Sequence, residues 1–304
     1  MTEGVVAELN ELIALKRFAK RVQYKPESRV QRAGTHLSRL RGRGMEFSEV
    51  RNYQAGDEIR HMEWRVTART GRPHIKVFQE ERERAVVIFG DFNPSMYFGT
   101  RKAFKSVIAA RLAALVAWTA VKQGDRVGAL LYSANAHSEF TPRSRETAVL
   151  PLLASLGEYT KRVEHKDNDA PHIAMSDELL RLRRVVKPGS IIVLISDFYQ
   201  MDLECIKHLT RLCAHNDVLA YHVCDALELA PPKPAIYAIT NGKEEMLLDT
   251  GNSQVWTDYQ IWCEQQRANL QSQFKRLQIQ YTQVSAGDDL ARLVWQTFPR
   301  RKRG

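Results

Sequence analysis

Asp91, Asn93 and Ser95 occupy alternate positions in "DFNPSM", directly after the apolar run "AVVIFG". A buried strand that ends in a carboxylate and turns at Pro94 aims three oxygen-bearing side chains at one point. A second apolar run, "SIIVLISD", also ends in an aspartate, Asp197. Such oxygens suit a hard cation like Mg²⁺, and paired carboxylates also serve acid–base chemistry. One strand-end aspartate is ordinarily a helix cap or turn-former. Two at equivalent strand ends favour a shared site. A nucleotide crevice fits poorly, because it needs glycines and backbone N–H groups around phosphate, which Asp91 would repel.

The elements around these residues alternate. "AVVIFGD" reads as a strand and "TRKAFKSVIAARLAALVAWTAVKQG" as a helix stopped by Gly124. "DRVGALLYS" is a strand with "AHSEFTPR" as an antiparallel partner, and "RETAVLPLLASLGEYT" is broken-helical. Then come the helix "PHIAMSDELLRLRRVV", the strand "SIIVLISD", the helix "LECIKHLTRLCAHN" and the strand "DVLAYHVCD". A hairpin over 235–248, the long helix "SQVWTDYQIWCEQQRANLQSQFKRL", the strand "QIQYTQVS" and the helix "DDLARLVWQTF" complete the series. This alternation implies an α/β fold with a doubly wound, mainly parallel sheet and one antiparallel edge strand. Ligands of such sheets bind beyond the carboxyl ends of the strands where strand order reverses, so Asp91 and Asp197 are expected to face each other there. Upstream, "VVAELNELIALKRFAKRV" carries apolar residues at helical spacing and predicts one amphipathic helix. The glycine-punctuated, arginine-rich stretch after it reads as loops and short strands. The expected division is 1–84 as helix and attachment block, 85–298 as the α/β domain and 299–304 as a basic tail.

Charge is uneven. The net formal charge is +10, and Lys16 to Arg72 holds 15 Lys and Arg against 6 Asp and Glu. Such a segment suits an acidic protein partner, an anionic surface or nucleic acid. Aromatics for base stacking are sparse between Gln23 and Arg43, which disfavours nucleic acid. The apolar run from Ala109 to Val121 is too short to span a bilayer, and the start of the chain, interrupted by charge, does not resemble a signal peptide. A cytoplasmic protein without membrane insertion is expected. Cys205, Cys213, Cys224 and Cys263 lack zinc spacing and read as buried small hydrophobes.

Two resemblances bear on the aspartates. Haloacid-dehalogenase-like phosphatases resemble the chain in a strand-end aspartate (Asp91), a later strand-end hydroxyl (Ser196), a lysine (Lys207) and an acidic pair (Asp288, Asp289). Asn93 stands where that family needs its second carboxylate, and an amide cannot shuttle the proton. The metal-ion-dependent adhesion site of von Willebrand factor A domains, D-x-S-x-S, resembles "DFNPSM" with Asn93 for the first serine, and its second aspartate matches Asp197. The threonine that family supplies from a later loop is missing. Pro171 or His172 stands there, with Asp167 and Asp169 nearby. The resemblance implies a degenerate site of Asp91, Asn93, Ser95 and Asp197, with Mg²⁺ held weakly at most and no other cofactor.

The segment from Arg41 to Thr100 is similar to the hallmark block of a bacterial family known as domain of unknown function fifty-eight. It matches in order at Gly42, Gly44, Glu46, Phe47, Arg51, Tyr53, Gly56, Asp57, Arg60, Trp64, Ala68, Arg69, Glu81 and Glu83. This resemblance implies a von Willebrand factor A-like domain working with MoxR-type AAA+ ATPases and other A-domain proteins in assembly or activation, with no established enzymatic activity. Within the block, Arg60, Arg65 and Arg69 alternate with Asp57, Glu58 and Glu63, so paired charges are expected to lock it. The resulting expectation is a non-enzymatic adaptor, with a phosphatase using Asp91 as the alternative. Arg29, Arg32 and Arg39, ahead of the hallmark block, are the expected partner contacts.

Overall fold

A computed structural model describes residues 4–20, 45–54, 56–80, 83–100, 102–161, 173–240 and 245–299. The chain forms two compact units, Met1–Gln23 with Arg84–Pro299, and Tyr24–Glu83 with Arg300–Gly304. The helical start therefore belongs with the α/β unit, and not with the arginine-rich block as its sequence position suggested. It is also broken. α1 (Leu9–Ala14) and α2 (Lys16–Lys20) replace the single expected helix.

The smaller unit contains β1 (Met45–Asn52), α3 (Trp64–Thr70) and β2 (His74–Glu80), with β1 and β2 antiparallel. Its paired charges close inside the unit. The Arg51 guanidinium donates to both Asp57 oxygens at 2.9 and 2.8 Å, and Lys76 meets Glu63 at 2.5 Å. The bidentate Arg51 fork and the Gln54 N–H hold the Asp57 carboxyl below its usual range. Gly56, at φ +108, makes the left-handed turn that brings Asp57 back to Arg51.

The larger unit continues with β3 (Ala85–Asp91), α4 (Lys105–Lys122), β4 (Arg126–Tyr132), β5 (His137–Arg143), α5 (Val149–Thr160), α6 (Met175–Val185) and β6 (Ile191–Ser196). α7 (Leu203–Cys213), β7 (Asp217–Cys224), α8 (Ala226–Leu229), the hairpin β8 (Ile236–Thr240) and β9 (Glu245–Asp249), α9 (Ser253–Arg276), β10 (Gln280–Ser285) and α10 (Leu290–Thr297) follow. The six-stranded sheet runs β10-β7-β6-β3-β4-β5. All its pairings are parallel except β4 with β5. This is the doubly wound order with its switch point between β3 and β6. It carries the antiparallel edge that the sequence pattern predicts.

β3 and β6 are apolar at nearly every position because both sheet faces are covered. Val86, Ile88, Val193 and Ile195 pack on one side with α1, α4, α5 and α10. Val87, Phe89, Ile192 and Leu194 pack on the other with α6, α7 and the Phe274 end of α9. α4 is buried over 15 of its 18 residues, which accounts for its apolar run without a bilayer. Among the described residues no helix is long and apolar enough to cross a membrane. α1 seals α4: Leu12 is fully buried, Trp118 Nε1 donates to the Leu12 carbonyl at 3.0 Å, and Arg111 pairs with Glu11. The four cysteines are free thiols, and Cys205, Cys224 and Cys263 are buried.

Candidate functional site

The sheet register decides what each strand-end aspartate meets. Gly90 lies opposite Ile195, so the next step of the ladder brings Asp91 to Ser196 and not to Asp197. Asp91 also lies opposite Tyr132 on β4. Ser196 Oγ donates to Asp91 Oδ2 at 2.6 Å and accepts the Phe198 N–H at 2.8 Å. Asp91 Oδ1 accepts the Asn93 N–H at 3.0 Å and Asn93 Nδ2 at 2.8 Å. The backbone bond is an Asx turn, and the Asn93 side-chain amide adds a second donor to the same oxygen. Asn93 Nδ2 also reaches Gln200 Oε1 at 3.3 Å.

Asp91 is 1% exposed. Burial pushes its carboxyl from the ordinary 3.8 up to about 6, and the nearby Asp197 charge adds to this, while the bonds from Ser196 and Asn93 pull it down. Tyr132, stacked on Phe89 with ring centroids 5.0 Å apart, turns a buried hydroxyl toward this group without a hydrogen bond of ordinary geometry. Burial first, then the Asp91 charge, keeps that phenol well above its usual range.

Asp197 meets a different partner. Side chains alternate along a strand, so with Ser196 turned to Asp91 its neighbour turns toward α4. There Lys105 Nζ donates to Asp197 Oδ2 at 2.9 Å and to Glu228 Oε1 at 2.5 Å. Asp197 Oδ1 accepts the Tyr199 N–H at 3.2 Å. The lysine side chain is 2% exposed, and its ammonium lies 5.1 Å from the Tyr199 ring centroid. Burial alone would lower the ammonium's pKa, but the charges of Asp197 and Glu228 outweigh it and hold the group above its usual value. Glu228 shows the opposite balance: burial pushes its carboxyl up against the pull of Lys105. The ammonium is the better satisfied partner, with two carboxylates and a ring around it. Phe198, between these contacts, takes a left-handed φ of +56. That conformation costs a non-glycine residue about 1–2 kcal/mol, offset here by the bonds on both sides and by its packing against Phe274, 4.9 Å between centroids.

These contacts test the fit of the cation that the adhesion-site resemblance implies. Each of the four carboxylate oxygens of Asp91 and Asp197 already accepts a bond from a protein donor. Asn93 turns its N–H₂ to Asp91, and its Oδ1 is buried without a hydrogen-bond partner. The Ser95 hydroxyl, half-buried in the turn, bonds none of them. No group of three or more His, Cys, Asp or Glu with metal-holding geometry occurs among the described residues. As arranged here, a divalent cation would meet carboxylates already engaged by protein donors, with the unpartnered Asn93 Oδ1 beside them. The substitute positions Asp167, Asp169, Pro171 and His172 lie outside the described residues, as do Arg29, Arg32, Arg39, Gly42, Gly44, Glu81 and the basic tail from residue 300.

The phosphatase-like set does not assemble. Ser196 reaches Asp91, but Lys207 pairs with Glu204 on the exposed side of α7 at 2.5 Å. Asp288 Oδ2 accepts the Ser285 N–H at 2.7 Å, and Asp289 caps α10 through the Arg292 N–H at 3.0 Å. The residues that sequence reasoning passed over are Lys105, Glu228 and Tyr132. One signal was present for the first. A lysine opening an otherwise apolar helix sits at the positive end of the helix dipole, which disfavours a cation by about 0.3–1 kcal/mol, so it needs carboxylates nearby.

Residues 49–269 match the family described as "Protein of unknown function DUF58". The chain is similar to the uncharacterized protein Rv1480 of Mycobacterium tuberculosis, 30% identical over 202 residues, 66% of this chain and 61% of that protein. The match thus spans less than two thirds of the relative's length. Among solved structures, the conserved hypothetical protein BatB from Bacteroides thetaiotaomicron aligns with 70% of this chain and 96% of its own, at 13% identity and a TM-score of 0.41. The SpRpn10 VWA domain aligns with 71% of this chain and 96% of its own, at 11% identity and a TM-score of 0.36.

Proposed function

The chain belongs to the family Protein of unknown function DUF58, and from that premise we propose that it is a non-enzymatic interaction protein acting in protein-complex assembly or activation. One observation carries the reading. The strand-end carboxylates, where a doubly wound sheet holds its chemistry, are buried and already bonded to protein donors. A nucleophile or general base must reach substrate with a free lone pair. Asp91 is 1% exposed, and both its oxygens are engaged by protein donors.

The partner in this proposal is a MoxR-type AAA+ ATPase, alone or with other A-domain proteins, as the family resemblance implies. Its docking is assigned to the basic segment, with Arg29, Arg32 and Arg39 as contacts to acidic residues of the ATPase. Rim charges of this kind raise association rates and make binding salt-sensitive. The test is binding of the purified full chain to the MoxR-type ATPase of the same organism, at low and at physiological salt, with and without EDTA. The expected result is binding that survives EDTA, weakens with salt as the screening length shortens to about 8 Å, and weakens again on charge reversal of the three arginines. Binding abolished by EDTA, or indifferent to the arginines, overturns the docking assignment. Turnover of a simple phosphate ester that disappears in Asp91→Asn overturns the non-enzymatic reading.

A further inference from the structure

We infer that the Lys105 ammonium is a built-in cation that bridges Asp197 and Glu228 at the carboxyl end of the sheet in place of a divalent ion. The inference rests on the geometry of the site and not on the identity of any partner.

Asp197 and Glu228 come from different elements, β6's end and α8, and are bridged by the single Nζ at 2.9 and 2.5 Å. A metal ion commonly bridges carboxylates in the same way. The second oxygen of Glu228 accepts the Asp225 N–H at 2.8 Å, closing a capping box with Asp225. Asp225 in turn accepts the N–H and hydroxyl of Thr100 at 2.9 and 2.7 Å. The ammonium therefore closes a chain of bonds that joins the loop after β3, the end of β6 and the end of β7. The second oxygen of each supporting carboxylate is held by a backbone N–H, so the cation's seat is preorganised.

The location of Lys105 argues against a chance surface contact. It is the first residue of α4 and its side chain is 2% exposed. An unpaired ammonium would be costly there, both by desolvation and by the helix dipole. The tether also removes the main obstacle to a Mg²⁺ ion, which gives up its waters reluctantly. With the ammonium in place, a divalent ion at Asp197 and Glu228 would meet like charge and two carboxylates already bridged. Without it, Asp197 and Glu228 would remain as a pair of carboxylates with no cation.

The experiment compares the full-length wild type with Lys105→Ala, using Mn²⁺ as the probe. Thermal unfolding and Mn²⁺ electron paramagnetic resonance are recorded with Mn²⁺ and with EDTA. The wild type is expected to show no bound Mn²⁺ and an unfolding temperature that neither reagent moves. Lys105→Ala should unfold at lower temperature, regain part of the loss in millimolar Mn²⁺, and bind the ion at least tenfold more tightly than the wild type. Adding Asp197→Asn should abolish that gain. Micromolar Mn²⁺ binding by the wild type, or no gain in Lys105→Ala, overturns the inference. Should Lys105→Ala fail to fold, reductive methylation of the folded wild type decides. Lys105 must stay unmodified while the exposed Lys207 reacts, and equal reactivity of the two refutes a sequestered ammonium.

Discussion

Replacing Asp91 with asparagine should stabilise the protein at neutral pH and lose that advantage in acid. The Asp91 carboxyl is 1% exposed and titrates at about 6 in the folded protein against an ordinary 3.8. Between those values the folded state binds a proton that the unfolded chain has already released. The contribution of this group is therefore full below about pH 4 and is lost as pH rises through about 6. At about 1.36 kcal/mol per pH unit, the loss amounts to about 3 kcal/mol. Asparagine keeps the shape and has no charge to bury. The difference in unfolding free energy, variant minus wild type, should rise by about 3 kcal/mol between about pH 4 and about pH 7 and then stay level. In a unit of this size that corresponds to roughly 6–12 °C in unfolding temperature. Any fixed offset, from how the new amide meets Ser196 and Asn93, does not depend on pH, so the slope is the readout. Urea unfolding of both proteins across this range supplies it, and a carboxyl-carbon NMR titration of Asp91 checks the midpoint directly. A difference that stays flat or falls with pH would refute the reasoning. It would mean that the bonds from Ser196 and Asn93 outweigh burial and the Asp197 charge.

Two further substitutions probe the frame around the site. Ser196→Ala removes the 2.6 Å bond to Asp91. It should cost about 1.5–3 kcal/mol at neutral pH, as for a hydrogen bond to a charged group, and less at about pH 4, where the carboxyl is protonated. Urea unfolding at the two pH values measures both. Leu12→Ala, outside the matched family segment but fully buried against α4, should cost about 2–5 kcal/mol. Calorimetry showing no loss would separate α1 from the core of the α/β unit.

Much of the architecture was legible because its signals are local. The uninterrupted apolar runs of β3 and β6 announce strands covered on both faces, and both end at the aspartates that cap them. Gly124, at φ +78, stops α4 as its position after the apolar run predicts. The antiparallel edge strand reads from alternation, since β5 exposes every second residue more fully. The amphipathic start was legible as helix, but not its break between α1 and α2, nor its attachment to α4. Periodicity shows that a face is apolar without showing what covers it.

The site itself was decided by tertiary structure. The types and spacing of Asp91, Asn93 and Asp197 marked the end of the sheet, and the Asx turn between Asp91 and Asn93 is contained in two residues of sequence. Which group meets which was not. The Ser196–Asp91 bond joins positions 105 apart, Lys105–Asp197 joins 92 and Lys105–Glu228 joins 123. Strand alternation has a period of two, so a shift of one residue between β3 and β6 would exchange the two sides of the sheet. In that register Asp197 would stand opposite Asp91, and Ser196 would turn toward α4 and Lys105. The pairing of β3 with β6, set by packing on both faces of the sheet, chose the other arrangement and gave Asp197 its cation from within the chain.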